Sequence, residues 1–168
     1  HIIREEDICH LQRLGKEHLF VLQMALDEMH EDEAAYAIAK ALMGDGVAIQ
    51  GDPREGKINL IAERDGLLKI NRDALLSFNM LGDVMCATLH NNTPVQKGAV
   101  VAGTRAIPLV VKKSIVEEAV GILDQADRVG VNNGNTVPSV QKTGVIEVKE
   151  LRKPRAGIVI TGNEVYHG

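Results

Sequence analysis

The fold is decided by the stretch Lys57-Ile-Asn-Leu-Ile-Ala-Glu-Arg-Asp-Gly-Leu-Leu-Lys-Ile-Asn71, which has the pattern of two short strands. Apolar residues alternate with polar ones on each side of Asp65-Gly66, and this alternation places the apolar set on one face of a strand. Asp-Gly readily adopts the positive φ angles of a type I′ turn, so the stretch predicts a hairpin. Ile61 and Leu67 interrupt the alternation, which indicates that the second face is partly covered.

Further strands and one helix are predicted on the C-terminal side of this hairpin. Residues 72–80 have a helical apolar pattern that ends near Gly82, because glycine adopts the left-handed conformation at little cost. Gly103 and Pro108 are the expected strand breaks, since proline lacks the donor that a sheet ladder needs. The predicted strands are 83–89, 99–104 and 106–111, with a loop at 90–94 and a tight turn at Lys97-Gly98. Residues 57–111 are therefore the expected core.

The segments before this core are predicted to cover it. Residues 4–14 and 27–43 repeat apolar side chains at the spacing of one helix face, and the second stripe is rich in alanine. The continuous apolar run at 19–22 indicates a buried strand at 18–24, and 1–3 has the composition of a strand end. The polar stretch at 51–56 predicts a turn into the core. Together these elements predict an α+β module.

The segments after the core predict a helix, a long loop and a returning strand. Ser114 and Glu117 have the spacing of a capping box, so a helix is expected from Ser114 to about Ala126. An Asn-rich run with few apolar side chains favours a linker, and the apolar residues of 145–151 predict a strand that returns to the first unit. The predicted organisation is an α+β N-terminal module at 1–126, a linker or long loop at 127–143, a returning strand and connector at 144–155, and the start of a second domain at 156–168.

Composition and charge exclude several classes of function. The 168 residues carry a net charge of −4, no tryptophan and only 2% aromatic residues, so we expect no nucleic-acid partner. Cys9 and Cys86 lie far apart without zinc-ligand spacing, which predicts reduced thiols in a cytoplasmic protein. No apolar run reaches the ~18 residues of a membrane span and no signal peptide opens the chain, so we expect no membrane partner.

The stretch Val95-Gln-Lys-Gly-Ala-Val-Val-Ala-Gly103 carries a first resemblance. Following the hairpin, it resembles the small barrel-sandwich hybrid folds of biotinyl and lipoyl domains. The resemblance implies a small β-barrel-sandwich-like core with flanking helices. Those domains carry a modifiable lysine at a hairpin tip. Lys69 and Lys97 are the candidates here, although neither is flanked as that motif requires.

A candidate ligand site follows the apolar run Ile158-Val-Ile160, which has the composition of a buried parallel strand. Thr161, Gly162, Asn163 and Glu164 come where that strand would end. Ligands of doubly wound α/β sheets bind beyond the carboxyl ends of strands. There a glycine lets the backbone approach an anion, a hydroxyl donates a hydrogen bond, and a carboxylate orients a ligand or holds a cation.

The longer segment Lys153-Pro-Arg-Ala-Gly-Ile-Val-Ile-Thr-Gly-Asn-Glu-Val165 carries a second resemblance. It resembles the opening strand and loop of the molybdopterin-binding domain of molybdenum-cofactor biosynthesis proteins, whose pattern is roughly Val-Ala-Ile-Ile-Ser-Thr-Gly-Asp-Glu-Leu. The stretches 1–8, 88–95 and 102–109 also resemble a bacterial group in which an α+β module precedes that domain. The resemblance implies molybdopterin as a non-covalent ligand held by Thr161–Glu164.

Two departures from the family pattern limit what the resemblance implies. Asn163 stands where molybdotransferases carry Asp, and a neutral amide lacks the charge that helps to handle a metal or a proton. The family's later glycine-rich loop and Asp-containing helix are absent from this chain, so only the first edge of the pterin site is expected. Whether the protein turns over a substrate is left open.

Three other groups of polar residues are candidate sites. His90, Asn91 and Asn92 form a polar loop between core strands, where binding residues are often found. Arg105 lies among apolar neighbours and is expected to pair with a carboxylate or an anion. His30 and Glu33 are spaced to reach one ion, but acidic first turns are common in helices and we expect no metal site.

The sequence thus predicts a molybdopterin-binding protein that acts in cofactor biosynthesis or handling, with a pterin partner and a possible second copy of the chain. One alternative is a non-catalytic interaction module that dimerises through the alanine-rich helix. The other is a prosthetic-group carrier modified at Lys69 or Lys97.

Overall fold

The computed structural model describes residues 3–18, 23–129 and 144–159, which form a mixed α+β structure with antiparallel sheets, as predicted. A single 3-10 turn (Glu5–Asp7) precedes the first helix. The helices in this part are α1 (Ile8–Arg13), α2 (Glu31–Leu42), α3 (Arg72–Asn79) and α4 (Lys113–Val129). The strands are β1 (Glu28–His30), β2 (Val47–Arg54), β3 (Lys57–Ala62), β4 (Gly66–Ile70), β5 (Val84–Thr88), β6 (Pro94–Val95), β7 (Val100–Ala106), β8 (Val110–Lys112) and β9 (Ile146–Lys149).

Three antiparallel sheets organise the described strands. The largest has the order β2-β3-β7-β5, the second β6-β4-β9, and β1 pairs with β8 in the third. One core joins the sheets with α2, α3 and α4, and its largest fully buried side chains include Phe78, Ile38, Leu60, Leu68 and Leu123. Helix α1 has no buried residue, so the prediction that it covers the core is wrong. Within the described ranges no helix is long and apolar enough to cross a membrane.

The two strands predicted from 57–71 are present, but they do not form a hairpin with each other. Strands β3 and β4 belong to different sheets, and neither Asp65 nor Gly66 has a positive φ. Gly66 is needed for a different reason, because a Cβ there would lie 2.8 Å from Val148 Cγ1 of strand β9. The predicted type I′ turn at Asp65-Gly66 is therefore wrong.

The tight turn is found one strand earlier. Glu55 and Gly56 have φ angles of 51° and 68°, and Arg54 pairs with Lys57 across them. Two consecutive positive φ angles match the twist of a two-residue hairpin. Most of the predicted turn at 51–56 is therefore strand, since β2 continues to Arg54 with irregular pairing after Gln50.

Helix α2 begins later than predicted because its first expected turn is a strand. Glu28–His30 pair with Val110–Lys112, and His30 Nδ1 then accepts a hydrogen bond of 3.2 Å from the Asp32 backbone N–H. His30 is thus the N-cap of the helix. The alanine-rich face of α2 is buried within the chain itself, so the dimer surface predicted there is already occupied.

Several smaller predictions can also be checked. The breaks near Gly82 and Pro108 are confirmed, but β7 continues through Gly103, and helix α4 begins one residue before Ser114. Residues 1–2 and 19–22 lie outside the described part, and no strand includes Ile3, His18 or residues 23–24. Ile158 and Val159 are 86% and 87% exposed and are not in a strand, so a buried strand is wrong for these two positions, while Ile160 lies outside the described ranges.

The predicted returning strand is confirmed. Strand β9 pairs with β4 from Ile70↔Ile146 to Leu67↔Lys149, and Val145, Ile146 and Val148 are at most 1% exposed. Gly44 N–H donates to the Ile146 carbonyl at 2.8 Å. The N-terminal part of the chain and strand β9 therefore share one core.

The Arg64 side chain binds the C-terminal end of β9. Its Nε donates to the Val148 carbonyl at 3.0 Å, and its guanidinium also contacts Asp45 and Glu150. The hydrogen bond to Asp45 is the main cause that raises the pKa of Arg64 above its ordinary value. This cation therefore links the loop after α2, the end of β3 and the returning strand.

Candidate functional site

The residues predicted to contact a pterin, Thr161, Gly162, Asn163 and Glu164, lie outside the described ranges. Their role stays a prediction. The chain that leads to them is described as far as Val159, and residues 151–159 are exposed and have no regular secondary structure.

The predicted loop His90–Asn92 lines an open cleft of about 630 Å³. One wall is a single face of α3, formed by Arg72, Leu75, Leu76 and Asn79. These positions are three or four residues apart, which places them side by side on a helix. The opposite wall is the end of β5 with the loop that follows it. The volume is in the range of small-molecule sites, which is about 300–1,000 Å³.

Hydrogen bonds hold the loop in one shape. Asn91 Oδ1 accepts from the backbone N–H groups of Ile70 at 3.1 Å and Asn92 at 3.0 Å. Asn92 has a φ of 64°, which asparagine tolerates better than most residues, and its Oδ1 accepts from Lys69 Nζ at 2.7 Å. Thr93 Oγ1 donates to the His90 carbonyl at 2.7 Å. The amide side chains that were candidate ligand contacts therefore also build the loop.

Two side chains in the cleft keep their polar groups free. The side chains of Arg72 and His90 form no hydrogen bond or ion pair with any residue of the described ranges, and both residues are exposed. Leu75, Leu76 and Leu89 provide an apolar surface beside them. The cleft is suited to a small molecule with an anionic group and an apolar part.

Arg105, the third candidate, lies on β7 on the outer face of the largest sheet. It is opposite Lys57 of β3 and Met85 of β5. Its Nε is buried and has no hydrogen-bond partner among the described residues. The predicted pairing of Arg105 with a carboxylate is thus not made within this part of the chain.

The two lysines considered for a prosthetic group lie in different settings. Lys69 is in the middle of β4, opposite Glu147, and its ammonium group is bonded to Asn92. Lys97 lies exposed in the turn before Gly98, where its backbone N–H donates to Asp65 Oδ1 at 2.7 Å. Of the two, Lys97 has the turn position that a carrier domain requires.

The described residues hold no group of three or more side chains that could bind a metal ion, and His30 is used as a helix cap. Cys9 is exposed and Cys86 is buried. Burial raises the pKa of the Cys86 thiol to about 12, so this thiol is neutral and unreactive near neutral pH.

Two features of the candidate sites cannot be predicted from the sequence. The helical spacing of Arg72 with Leu75, Leu76 and Asn79 was visible, but which face of α3 borders the loop depends on tertiary packing. The alignment of Arg54 and Lys57 with Arg105 depends on strand register, which the sequence pattern did not give.

No family model matches the chain, and no match was found among the curated proteins or the solved structures.

Proposed function

We propose that this chain is part of a molybdopterin-binding protein that acts in the biosynthesis or handling of the molybdenum cofactor. The pterin is bound without a covalent bond, by Thr161, Gly162, Asn163 and Glu164. The proposal places the protein in the cytoplasm. The segment 153–165 carries the proposal, because it combines an apolar run with a Thr-Gly-Asn-Glu sequence.

The course of the chain before this segment supports the proposal. Strand β9 ends at Lys149 and completes the sheet that it forms with β4. Residues 151–159 then run exposed, as a connector between two units does.

The finer assignment of the fold belongs to the same proposal. The two larger sheets correspond to a small barrel-sandwich-like core with flanking helices, and the segment from residue 156 opens an α/β molybdopterin-binding domain. A shared core supports the first part, because Leu60 of one sheet and Leu68 of the other are both fully buried in it.

The test is a titration of the protein with molybdopterin under anoxic conditions, in which calorimetry measures the heat of binding. We expect saturable binding that Glu164→Gln weakens by about tenfold or more, the usual loss for a charge-assisted hydrogen bond. Glu63→Gln is the matched control, since Glu63 is exposed and its side chain has no partner in the described ranges.

Absence of saturable binding would overturn the proposal. Equal effects of Glu164→Gln and Glu63→Gln would remove the assignment of the site. Sedimentation with and without the pterin adds a second readout. A mass that rises with protein concentration, together with no pterin binding, would favour the interaction module instead.

A further inference from the structure

We propose that the outer face of the four-stranded sheet binds a phosphomonoester, with Arg105 and Lys57 holding the phosphate. The site consists of residues of the N-terminal module alone. It does not depend on pterin binding by residues 161–164.

The first observation is a row of three basic residues across adjacent strands. Arg54 pairs with Lys57, Lys57 with Arg105, and Arg105 with Met85, so the four side chains share one face of the sheet. Residues directly opposite in an antiparallel sheet have Cβ atoms about 4.5–5.5 Å apart, and like charges at this distance repel. A chain whose net charge is −4 has no general excess of cations to explain such a row.

The second observation is that the row lacks anionic partners. Lys57 Nζ lies 3.8 Å from Glu55 Oε2, and the two side chains are 55% and 82% exposed, so this pair neutralises little charge. The side chains of Arg54 and Arg105 form no hydrogen bond or ion pair with the part of the chain that is described. Arg105 Nε is shielded from water as well. An arginine without partners can donate two parallel N–H hydrogen bonds, and two phosphate oxygens accept them in the geometry of the guanidinium group.

The third observation is the shape of the surface beside the row. Gly103 and Ala87 are paired in the neighbouring row, and their small side chains leave a depression of about 180 Å³ that none of the three basic residues lines. A Cβ on Gly103 would lie 3.5 Å from Asn59 Oδ1, which is an ordinary van der Waals distance. The two positions next to Arg105 and Met85 in that row therefore carry no large side chain.

A polar groove at the Arg54–Lys57 end of the row supplies room for the rest of the ligand. The groove measures about 710 Å³ and is lined by Gln50, Asp52, Arg54, Lys57 and Asn59, among others. Asn59 Nδ2 donates to Gln50 Oε1 at 3.3 Å, which orients both amides along the strands. The lining is mostly polar, so the groove is suited to a hydroxylated or heterocyclic body. The basic row takes the phosphate, and the groove, which Arg54 and Lys57 line, takes the group esterified to it.

The test is an NMR titration of the ¹⁵N-labelled protein with ribose 5-phosphate, inorganic phosphate and sodium chloride. We expect saturable shifts of the Arg105 Nε–Hε signal and of the Lys57, Asn59 and Gly103 amides with the phosphate compounds, and none with chloride at equal ionic strength. Ribose 5-phosphate is expected to bind more tightly than inorganic phosphate, because only the ester reaches the groove.

Three variants assign the contacts. Arg105→Gln is expected to weaken binding by about tenfold or more, and Arg105→Lys by less, because lysine keeps the charge and loses the fork. Arg13→Gln is the matched control, since Arg13 is an exposed arginine of α1 that lines neither the groove nor the depression, and binding is expected to stay within about twofold. Should Arg105→Gln fail to fold, Lys57→Gln, at an exposed position, tests the same site with the Arg105 Hε signal as readout.

Three results would overturn the proposal. The first is an Arg105 Hε signal that does not respond to either phosphate compound. The second is an equal loss of binding in Arg105→Gln and Arg13→Gln. The third is equal affinity for inorganic phosphate and ribose 5-phosphate, which would exclude a phosphomonoester as the ligand.

Discussion

Replacement of Gly44 by alanine tests how closely the returning strand approaches the loop after α2. A Cβ at position 44 would lie 2.5 Å from the backbone nitrogen of Gly144 and 2.8 Å from its Cα. These are backbone atoms, so no side-chain rotation relieves the overlap. Gly144, two residues before β9, must move away, and the hydrogen bond from Gly44 N–H to the Ile146 carbonyl lengthens.

The size of the effect follows from these two changes. Overpacking in a tight interior costs about 1–3 kcal/mol, and a weakened backbone hydrogen bond adds about 0.5–1.5 kcal/mol. We therefore expect Gly44→Ala to lower the free energy of unfolding by about 2–4 kcal/mol, from a total of about 5–15 kcal/mol that is typical of domains. Such a loss corresponds to about 5–15 °C in Tm for a chain of this size.

The assay is urea unfolding followed by circular dichroism at 222 nm, because the chain has no tryptophan to report by fluorescence. Gly121→Ala is the matched control. A Cβ at Gly121 in α4 meets no atom within 4 Å, and alanine in place of a helical glycine is expected to stabilise by about 0.5–1 kcal/mol. Replacement of glycine by alanine should thus lower the free energy of unfolding at position 44 and raise it at position 121. A Gly44→Ala variant within about 0.5 kcal/mol of wild type would refute the close approach.

Three further predictions concern a buried thiol, the fastening of β9 and the loop beside α3. Burial raises the pKa of Cys86 from 9.0 to about 12, so above pH 9 the thiol ionises only in the unfolded chain. Its contribution to stability then falls by up to about 1.4 kcal/mol per pH unit until the folded pKa is reached, and Cys86→Ala should remove that slope in urea unfolding at pH 7–10. Arg64→Met removes the donor to the Val148 carbonyl and should cost about 1 kcal/mol and speed hydrogen exchange in β9, since the charges themselves are partly exposed. Asn91→Ala removes the acceptor for two backbone N–H groups and should cost about 1–2 kcal/mol, with faster exchange of the Ile70 amide.

Each of these predictions has an outcome that contradicts it. An identical pH dependence of wild type and Cys86→Ala would show that Cys86 ionises equally in both states. Unchanged exchange of the β9 amides in Arg64→Met would mean that the strand is held by its pairing with β4 alone. An Ile70 amide as protected in Asn91→Ala as in wild type would show that Asn91 does not hold the loop.

Much of the local structure could be predicted from apolar periodicity. Strands β3, β4 and β5 and helix α3 lie where the alternating and helical patterns predict them, because each pattern reports which face of a short element is buried. The strand pairing could not be predicted in this way. Asp65-Gly66 and Glu55-Gly56 are both able to turn, and the choice depends on contacts of Gly66 with β9, which is far away in sequence.

For the candidate sites as well, features local in sequence can be predicted and features that depend on strand pairing cannot. The sequence predicts a polar loop at His90–Asn92, because these polar residues adjoin one another in the chain. In the structure this loop lines a cleft. Arg105 was singled out for its apolar neighbours, and its Nε indeed lacks a partner in the described part of the chain. Its basic neighbours Lys57 and Arg54 come from other strands, and only the register of the sheet brings them beside it.

The late position of β9 in the chain has a consequence for synthesis in the cell. Strand β4 leaves the ribosome long before β9, so one edge of β4 stays open while the residues between them are made. An open strand edge is a place where chains pair wrongly with one another. Slowing of translation between these strands should therefore raise the aggregated fraction of newly made protein, whereas slowing after Lys149 should not.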